Sequence, residues 1–138
     1  MNTEKNKIEA HILQKILKCL TRFPGIKLAF LFGSFAGGYA SATSDIDVAL
    51  LFEKKPDYSL LESIKDVLSK HIKREIDLLV LNDASPVIRM QVLKKGHLLI
   101  KSTPYYENFF TRTIEDYEDL KIVRKEIENQ ILKGKIYA

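Results

Sequence analysis

The chain has 138 residues, of which 46% are hydrophobic and 29% are charged, and its formal net charge is +4. This length is enough for one compact core and too short for two, so we expect a single domain over residues 1–138. No apolar run approaches the roughly 20 residues that span a membrane, and the N-terminal residues do not resemble a signal peptide. A single cysteine excludes an intrachain disulfide and favours a reducing compartment, so we expect a cytoplasmic protein.

Basic residues are scattered along the chain in small clusters. A solvated surface explains most of them, and attraction of ATP or of an acidic partner is the functional alternative. The aromatic residues do not alternate with the basic ones, as a platform for stacked bases requires, so we expect no direct binding of nucleic acid.

The first predicted element is an amphipathic helix over residues 4–22. Apolar residues recur there every four positions, and Cys19 lies beside them, so we expect a packed thiol rather than a reactive one. Pro24 and Gly25 end this helix and lead into a first strand over residues 28–32.

The most informative stretch follows this first strand. The apolar run stops at Gly33-Ser34, and a short helix or turn is expected over residues 34–40. Asp45 and Asp47 then open a second strand that runs to Phe52.

The two aspartates indicate a metal site. Side chains i and i+2 of a strand project from the same face, so Asp45 and Asp47 lie about 7 Å apart at the backbone and repel each other. A hard cation relieves that repulsion, and Mg²⁺ binds through one or two carboxylates together with substrate phosphates. Gly33-Ser34 suits those phosphates, because glycine permits close approach and a helix N-terminus presents free N–H groups.

Five further elements are predicted beyond the second strand. Ser59 and Glu62 have capping-box spacing for a helix that ends near residue 72. A strand over residues 75–81 places Asp77 between apolar neighbours, which suits a third site carboxylate or, alternatively, a solvent-facing aspartate at a strand edge. The remaining elements are a helix over 86–95 between Pro86 and Gly96, an edge strand over 97–100 and a long helix over 105–132. We assign the apolar side of the long helix to Phe110, Ile114, Tyr117, Leu120, Ile127 and Ile131.

The order of these elements predicts an α/β (α+β) fold. We expect a small β-sheet with flanking helices, a core over about residues 24–100, and a long C-terminal helix.

Gly33-Ser34, a spacer of about ten residues and then Ser44-Asp45-x-Asp47 resemble the signature of the DNA polymerase β-like nucleotidyltransferase superfamily. The length and layout are similar to its minimal nucleotidyltransferase (MNT) branch, whose members commonly act as antitoxins beside HEPN-domain toxins. The resemblance implies the nucleotidyltransferase (polymerase β-like) fold, in which the small sheet is mixed. It also implies a third carboxylate on a later strand, and Asp77 is available for that role.

The resemblance also implies an activity. ATP would be the co-substrate, with its phosphates on Gly33, Ser34 and Ser44. Mg²⁺ would be held by the catalytic residues Asp45, Asp47 and Asp77. AMP would pass to a hydroxyl, as of a tyrosine, on a HEPN ribonuclease toxin, which the transfer neutralises.

One position departs from the family pattern, since MNT proteins usually carry an arginine where this chain has Gly37. The departure leaves a second hypothesis open, an antitoxin that binds its partner sterically with weak or no catalysis. A third hypothesis is transfer to a small-molecule acceptor, although the chain has no room for an acceptor domain. Homo- or hetero-oligomers are compatible with each hypothesis.

Overall fold

The computed structural model describes residues 3–32 and 45–133, in which helices cover both faces of a four-stranded sheet. The elements in chain order are α1 (Thr3–Leu20), β1 (Ile26–Phe32), β2 (Ile46–Phe52), α2 (Tyr58–Ile72), β3 (Ile76–Val80), a 3₁₀ turn (Leu81–Asp83), α3 (Pro86–Lys95), β4 (His97–Lys101) and α4 (Thr103–Leu132). The predicted mixed fold with a long C-terminal helix is confirmed. The helix expected over residues 34–40 lies outside the described residues.

The sheet has the strand order β3-β2-β1-β4. β1 is antiparallel to both of its neighbours, whereas β2 and β3 are parallel, with α2 as the crossover between them. The sheet is therefore mixed, and β4 is an edge strand, as predicted.

One face of the sheet packs against α1 and α2. Alternate residues of β2 (Ile46, Val48 and Leu50) are fully buried there, because successive side chains of a strand point to opposite faces. Cys19 of α1 belongs to the same cluster and is 2% exposed. Burial raises the pKa of its thiol, against the opposing effect of the nearby Arg22 and Lys18 charges, so the expected structural role for the thiol fits its surroundings.

The other face of the sheet packs against α3 and α4. Its core consists of Leu28, Phe30, Ala49, Leu81, Val92 and Phe109. The remaining residues of β2 and β3, which include Asp47 and Asp77, belong to this face.

The apolar side assigned to α4 was wrong in the first half of the helix. Phe109 and Thr113 are buried, whereas Phe110 is 44% exposed and Ile114 is 36% exposed. The error arose because polar residues occupy the packed side. Thr113 is small enough to be enclosed, and Asp116 accepts a 2.9 Å hydrogen bond from Arg89 of α3.

The second half of α4 extends away from the sheet. Every residue from 118 to 133 is exposed. The side that packs on the protein at Phe109 and Thr113 continues along the helix as an unpacked stripe, the α4 stripe, formed by Leu120, Val123, Ile127 and Ile131. Although α4 has 30 residues, neither it nor any other described helix is long and apolar enough to cross a membrane.

The helix ends correct one further prediction. The N-cap of α2 is Asp57, whose Oδ1 accepts a 2.8 Å hydrogen bond from the N–H of Leu60, so Ser59 lies inside the helix and forms no capping box. At its other end α2 is closed by Lys73, which has a left-handed backbone with φ of 58°. Gly96 ends α3 as expected. The position suits glycine, because a Cβ there would lie 2.5 Å from the carbonyl oxygen of Val92.

Candidate active site

The centre of the candidate site is a pair of aspartates on neighbouring strands. Because β2 and β3 are parallel, both strands begin at the same edge of the sheet, and Asp47 lies directly opposite Asp77 in their register. Parallel partners in a sheet are about 4.8 Å apart at the backbone, so the two carboxylates project side by side. Asp45 lies one residue before β2 and is exposed.

The end of β1 lies beside this pair. Phe32, the last residue of β1, pairs with Asp47 across the antiparallel ladder. The chain therefore leaves β1 next to the acidic pair, and Gly33-Ser34 come directly after that point in the sequence. Gly33, Ser34, Ser44 and Gly37 themselves lie outside the described residues, so their assigned roles stay predictions.

The two carboxylates are electrostatically strained in the absence of a cation. Burial raises the pKa of Asp47 above its ordinary value of 3.8, and the charges of Asp77 and Asp45 and a side-chain hydrogen bond with Asp77 raise it further. None of the ion pairs formed among the described residues involves these aspartates. The site therefore favours a bound cation or a proton shared between Asp47 and Asp77.

Mg²⁺ fits this donor set. Within residues 3–32 and 45–133, no group of three or more histidine, cysteine or acidic side chains converges closely enough to hold a metal ion. The described part of the chain thus offers two adjacent carboxylates, Asp47 and Asp77, with Asp45 nearby. Mg²⁺ typically takes one or two protein carboxylates and completes its shell with waters and substrate phosphates, so two ligands are sufficient.

A residue that sequence reasoning missed holds the other end of β2. The Asn82 side chain accepts a hydrogen bond from the N–H of Phe52 and donates one to its carbonyl oxygen, both 2.9 Å long. These bonds continue the contact between β2 and the segment after β3 beyond Leu50–Val80, the last pair of the ladder. They support the same strand alignment that places Asp47 opposite Asp77.

A cavity of about 480 Å³ lies at this far end of β2, between Phe52, Asn82, Arg89 and Phe109. Phe52 lies five positions after Asp47, which corresponds to roughly 17 Å along a strand. The cavity is therefore separate from the acidic pair, and neither Asp47 nor Asp77 lines it.

Two parallel strands that begin with opposed aspartates, next to the end of β1 at Phe32, are compatible with a nucleotidyltransferase site. The family model for Polymerase beta, Nucleotidyltransferase, matches residues 14–105, which include all of the sheet. The chain belongs to this nucleotidyltransferase family.

More specific relatives are protein adenylyltransferases. Protein adenylyltransferase MntA of Shewanella oneidensis is 31% identical over 119 residues, which cover 86% of each chain. Among solved structures, a toxin–antitoxin with AMP-PNP matches at 30% identity and a TM-score of 0.75, over 87% of this chain and 98% of that one. A tri-AMPylated Shewanella oneidensis HEPN toxin in complex with MNT antitoxin matches at 28% identity and a TM-score of 0.72, over 90% and 98% of the chains.

Proposed function

We propose that this protein is an antitoxin that transfers AMP from ATP to a tyrosine hydroxyl of a HEPN ribonuclease toxin and thereby neutralises the toxin. The observation that carries the proposal is the opposed pair Asp47 and Asp77 with the raised pKa of Asp47. The similarity to protein adenylyltransferases and to an antitoxin bound to an AMPylated toxin supports the same acceptor class. We place the reaction in the cytoplasm, where ATP is supplied and the Cys19 thiol stays reduced.

The reaction is an in-line displacement at the α-phosphate of ATP. The acceptor oxygen forms a bond to the α-phosphorus, the bond between that phosphorus and the β-phosphate oxygen breaks, and pyrophosphate leaves. Asp77, which is exposed and so can be reached by a protein acceptor, would either hold a second metal ion or take the proton of the attacking hydroxyl. Asp47 is partly buried beside Asp77 and would bind Mg²⁺ next to the phosphates.

Asp45, Asp47 and Asp77 would hold Mg²⁺, and Gly33, Ser34 and Ser44 would hold the phosphates of ATP. Mg²⁺ held there would supply positive charge to offset the negative charge on the phosphates. Fixed carboxylates on two hydrogen-bonded strands need little reorganisation during the reaction, which is the condition for strong electrostatic stabilisation.

The acceptor requires a surface of its own, for which the α4 stripe is suited. The α4 stripe lies on the part of the helix that extends away from the sheet, and its four apolar side chains are exposed. Exposed apolar surfaces of this kind commonly mark interaction sites. The similar antitoxin chains were solved in complexes with their toxins. We therefore assign the α4 stripe to toxin binding.

A binding experiment tests the role of the stripe. Ile127→Lys should weaken the complex with the toxin at least tenfold, whereas Asn129→Lys, on the opposite side of the helix, should leave it within twofold. Equal affinities for the two variants would remove the stripe from the interface.

The activity is tested by transfer of label from α-labelled ATP to the purified toxin in the presence of Mg²⁺. Replacing Asp47 or Asp77 by alanine should abolish the transfer, and Asp66→Ala, an exposed aspartate on α2, should not change it. Variants of the pair that still silence the toxin without labelling it would establish the steric mechanism instead. Transfer at the wild-type rate by either variant would refute the assigned chemistry.

A further inference from the structure

A second charged feature lies on the opposite face of the sheet from the aspartates. The C-terminal ends of α1 and α2 enclose a cavity of about 260 Å³. Apart from the Cys19 thiol, every side chain that lines this cavity is basic; we call the set Lys15, Lys18, Arg22 and His71 the basic pocket. Among the described residues, none of the four forms an ion pair.

The backbone around the basic pocket explains why these side chains converge. Lys15 and Lys18 are three residues apart and share one side of α1, and Arg22 follows four residues later in the turn after the helix. That turn is held by hydrogen bonds from the N–H of Thr21 to Leu17 and from the N–H of Arg22 to Cys19, of 3.0 and 3.3 Å.

His71 closes the basic pocket from α2 in a defined orientation. Its Nδ1 lies 2.8 Å from the carbonyl oxygen of Val67. A carbonyl can only accept a hydrogen bond, so Nδ1 donates. Nε2 is the other ring nitrogen, and it donates to an anion only when the imidazole is protonated.

The helix dipoles offset only part of the positive charge of the basic pocket. Each helix C-terminus carries about half a negative charge, so the two ends that meet here offset about one positive charge. Lys15, Lys18 and Arg22 bring three. The pocket therefore keeps a surplus of about two positive charges before His71 is counted.

We propose that the basic pocket binds a small phosphate anion with about two or three negative charges, such as phosphate, pyrophosphate or the phosphate of a mononucleotide. The surplus charge matches that of the anion, and lysine and arginine are the usual donors to phosphate oxygens. The cavity lies below the range of about 300–1,000 Å³ that holds drug-sized ligands, which suits a phosphate group better than a whole substrate. The basic pocket is separate from the acidic pair, because the sheet lies between it and Asp47.

Titration calorimetry in Mg²⁺-free buffer at low ionic strength tests the proposal, with pyrophosphate, inorganic phosphate and AMP as separate ligands. We expect saturable 1:1 binding, and amide chemical-shift changes at residues 15–22 and at His71 rather than at Asp47. AMP bound much more tightly than phosphate would identify a nucleotide as the source of the anion, and equal or weaker binding would identify a free anion. Absence of saturable binding by all three ligands would overturn the proposal.

Two charge-matched variants separate a site from general attraction. Lys18→Gln with Arg22→Gln should weaken binding at least tenfold. Lys125→Gln with Lys133→Gln removes the same charge from exposed positions of the α4 region and should change the affinity less than twofold. All four side chains are exposed, so both proteins should fold, which thermal unfolding checks. Equal weakening in the two variants would refute a defined site.

Discussion

Replacing Asp47 by asparagine should inactivate the protein and at the same time stabilise it. The change removes one of two like charges that lie opposite each other in the β2–β3 ladder. With the carboxylates about 5 Å apart, their repulsion is about 0.8 kcal/mol at the dielectric constant of water and about 3 kcal/mol at an effective value of 20. Because Asp77 is exposed and Asp47 only partly buried, we expect the lower end, a gain of about 1 kcal/mol at pH 7.

The sign of the pH dependence follows from the raised pKa of Asp47. The folded protein binds this proton more tightly than the unfolded chain, so the wild type loses stability as the pH rises from 3.8 through the raised pKa. The asparagine variant has no such loss. The two proteins should therefore have similar stability below pH 3.8 and diverge as the pH rises.

Thermal unfolding without divalent ions measures this difference. For a chain of this size, about 1 kcal/mol corresponds to a rise in Tm of about 4 °C at pH 7. Adding Mg²⁺ should raise the Tm of the wild type more than that of the variant, since the cation relieves the same repulsion. Asp66→Asn, which removes an exposed carboxylate from α2, is the control and should show neither effect. A variant that is less stable than the wild type at pH 7, or one that Mg²⁺ stabilises equally, would refute the reasoning.

Three further substitutions test how the fold holds the site. Asn82→Ala leaves both polar groups of Phe52 without their side-chain partner and should lower the free energy of unfolding by about 1–3 kcal/mol in urea titrations, whereas Asn129→Ala should change it little. Lys73→Gly should raise the free energy of unfolding by about 0.5–1 kcal/mol, because glycine adopts the left-handed backbone at φ 58° without strain. A lower free energy of unfolding would contradict the left-handed conformation assigned to Lys73. Gly96→Ala should lower the free energy of unfolding by about 1–3 kcal/mol, because its Cβ meets the carbonyl oxygen of Val92; an unchanged urea midpoint would show that the backbone shifts to accept it.

The positions of the strands could be predicted from the sequence, because buried strands appear there as short apolar runs. The sequence indicates Asp47 because it forms an i, i+2 pair of carboxylates with Asp45, and it indicates Asp77 because an aspartate between apolar neighbours is unusual. Their direct opposition depends on the parallel pairing of β2 with β3, which joins residues 30 positions apart and leaves no local pattern. The role of Asn82 could not be predicted for the same reason, because its hydrogen-bond partner Phe52 is also 30 residues away.

The errors concern positions where polar residues take structural roles. Thr113 and Asp116 lie on the packed side of α4, so a search for apolar periodicity selected the wrong side in the first half of the helix. Asp57 rather than Ser59 caps α2, because both residue types serve as N-caps and spacing alone does not decide between them.

The alternation of side chains along β2 separates the functions of the two faces of the sheet. Asp47 points toward α3 and α4, whereas its neighbours Ile46 and Val48 point toward α1 and α2, beneath which the basic pocket lies. Because the fully buried Ile46 and Val48 leave no passage between the faces, a ligand in the basic pocket cannot contact the acidic pair. An effect of phosphate anions on AMP transfer that persists when Lys18 and Arg22 are replaced would therefore arise outside the basic pocket, as at the residues assigned to the ATP phosphates. An effect that disappears with those two side chains must instead be transmitted through the packing of α1 and α2 on β2.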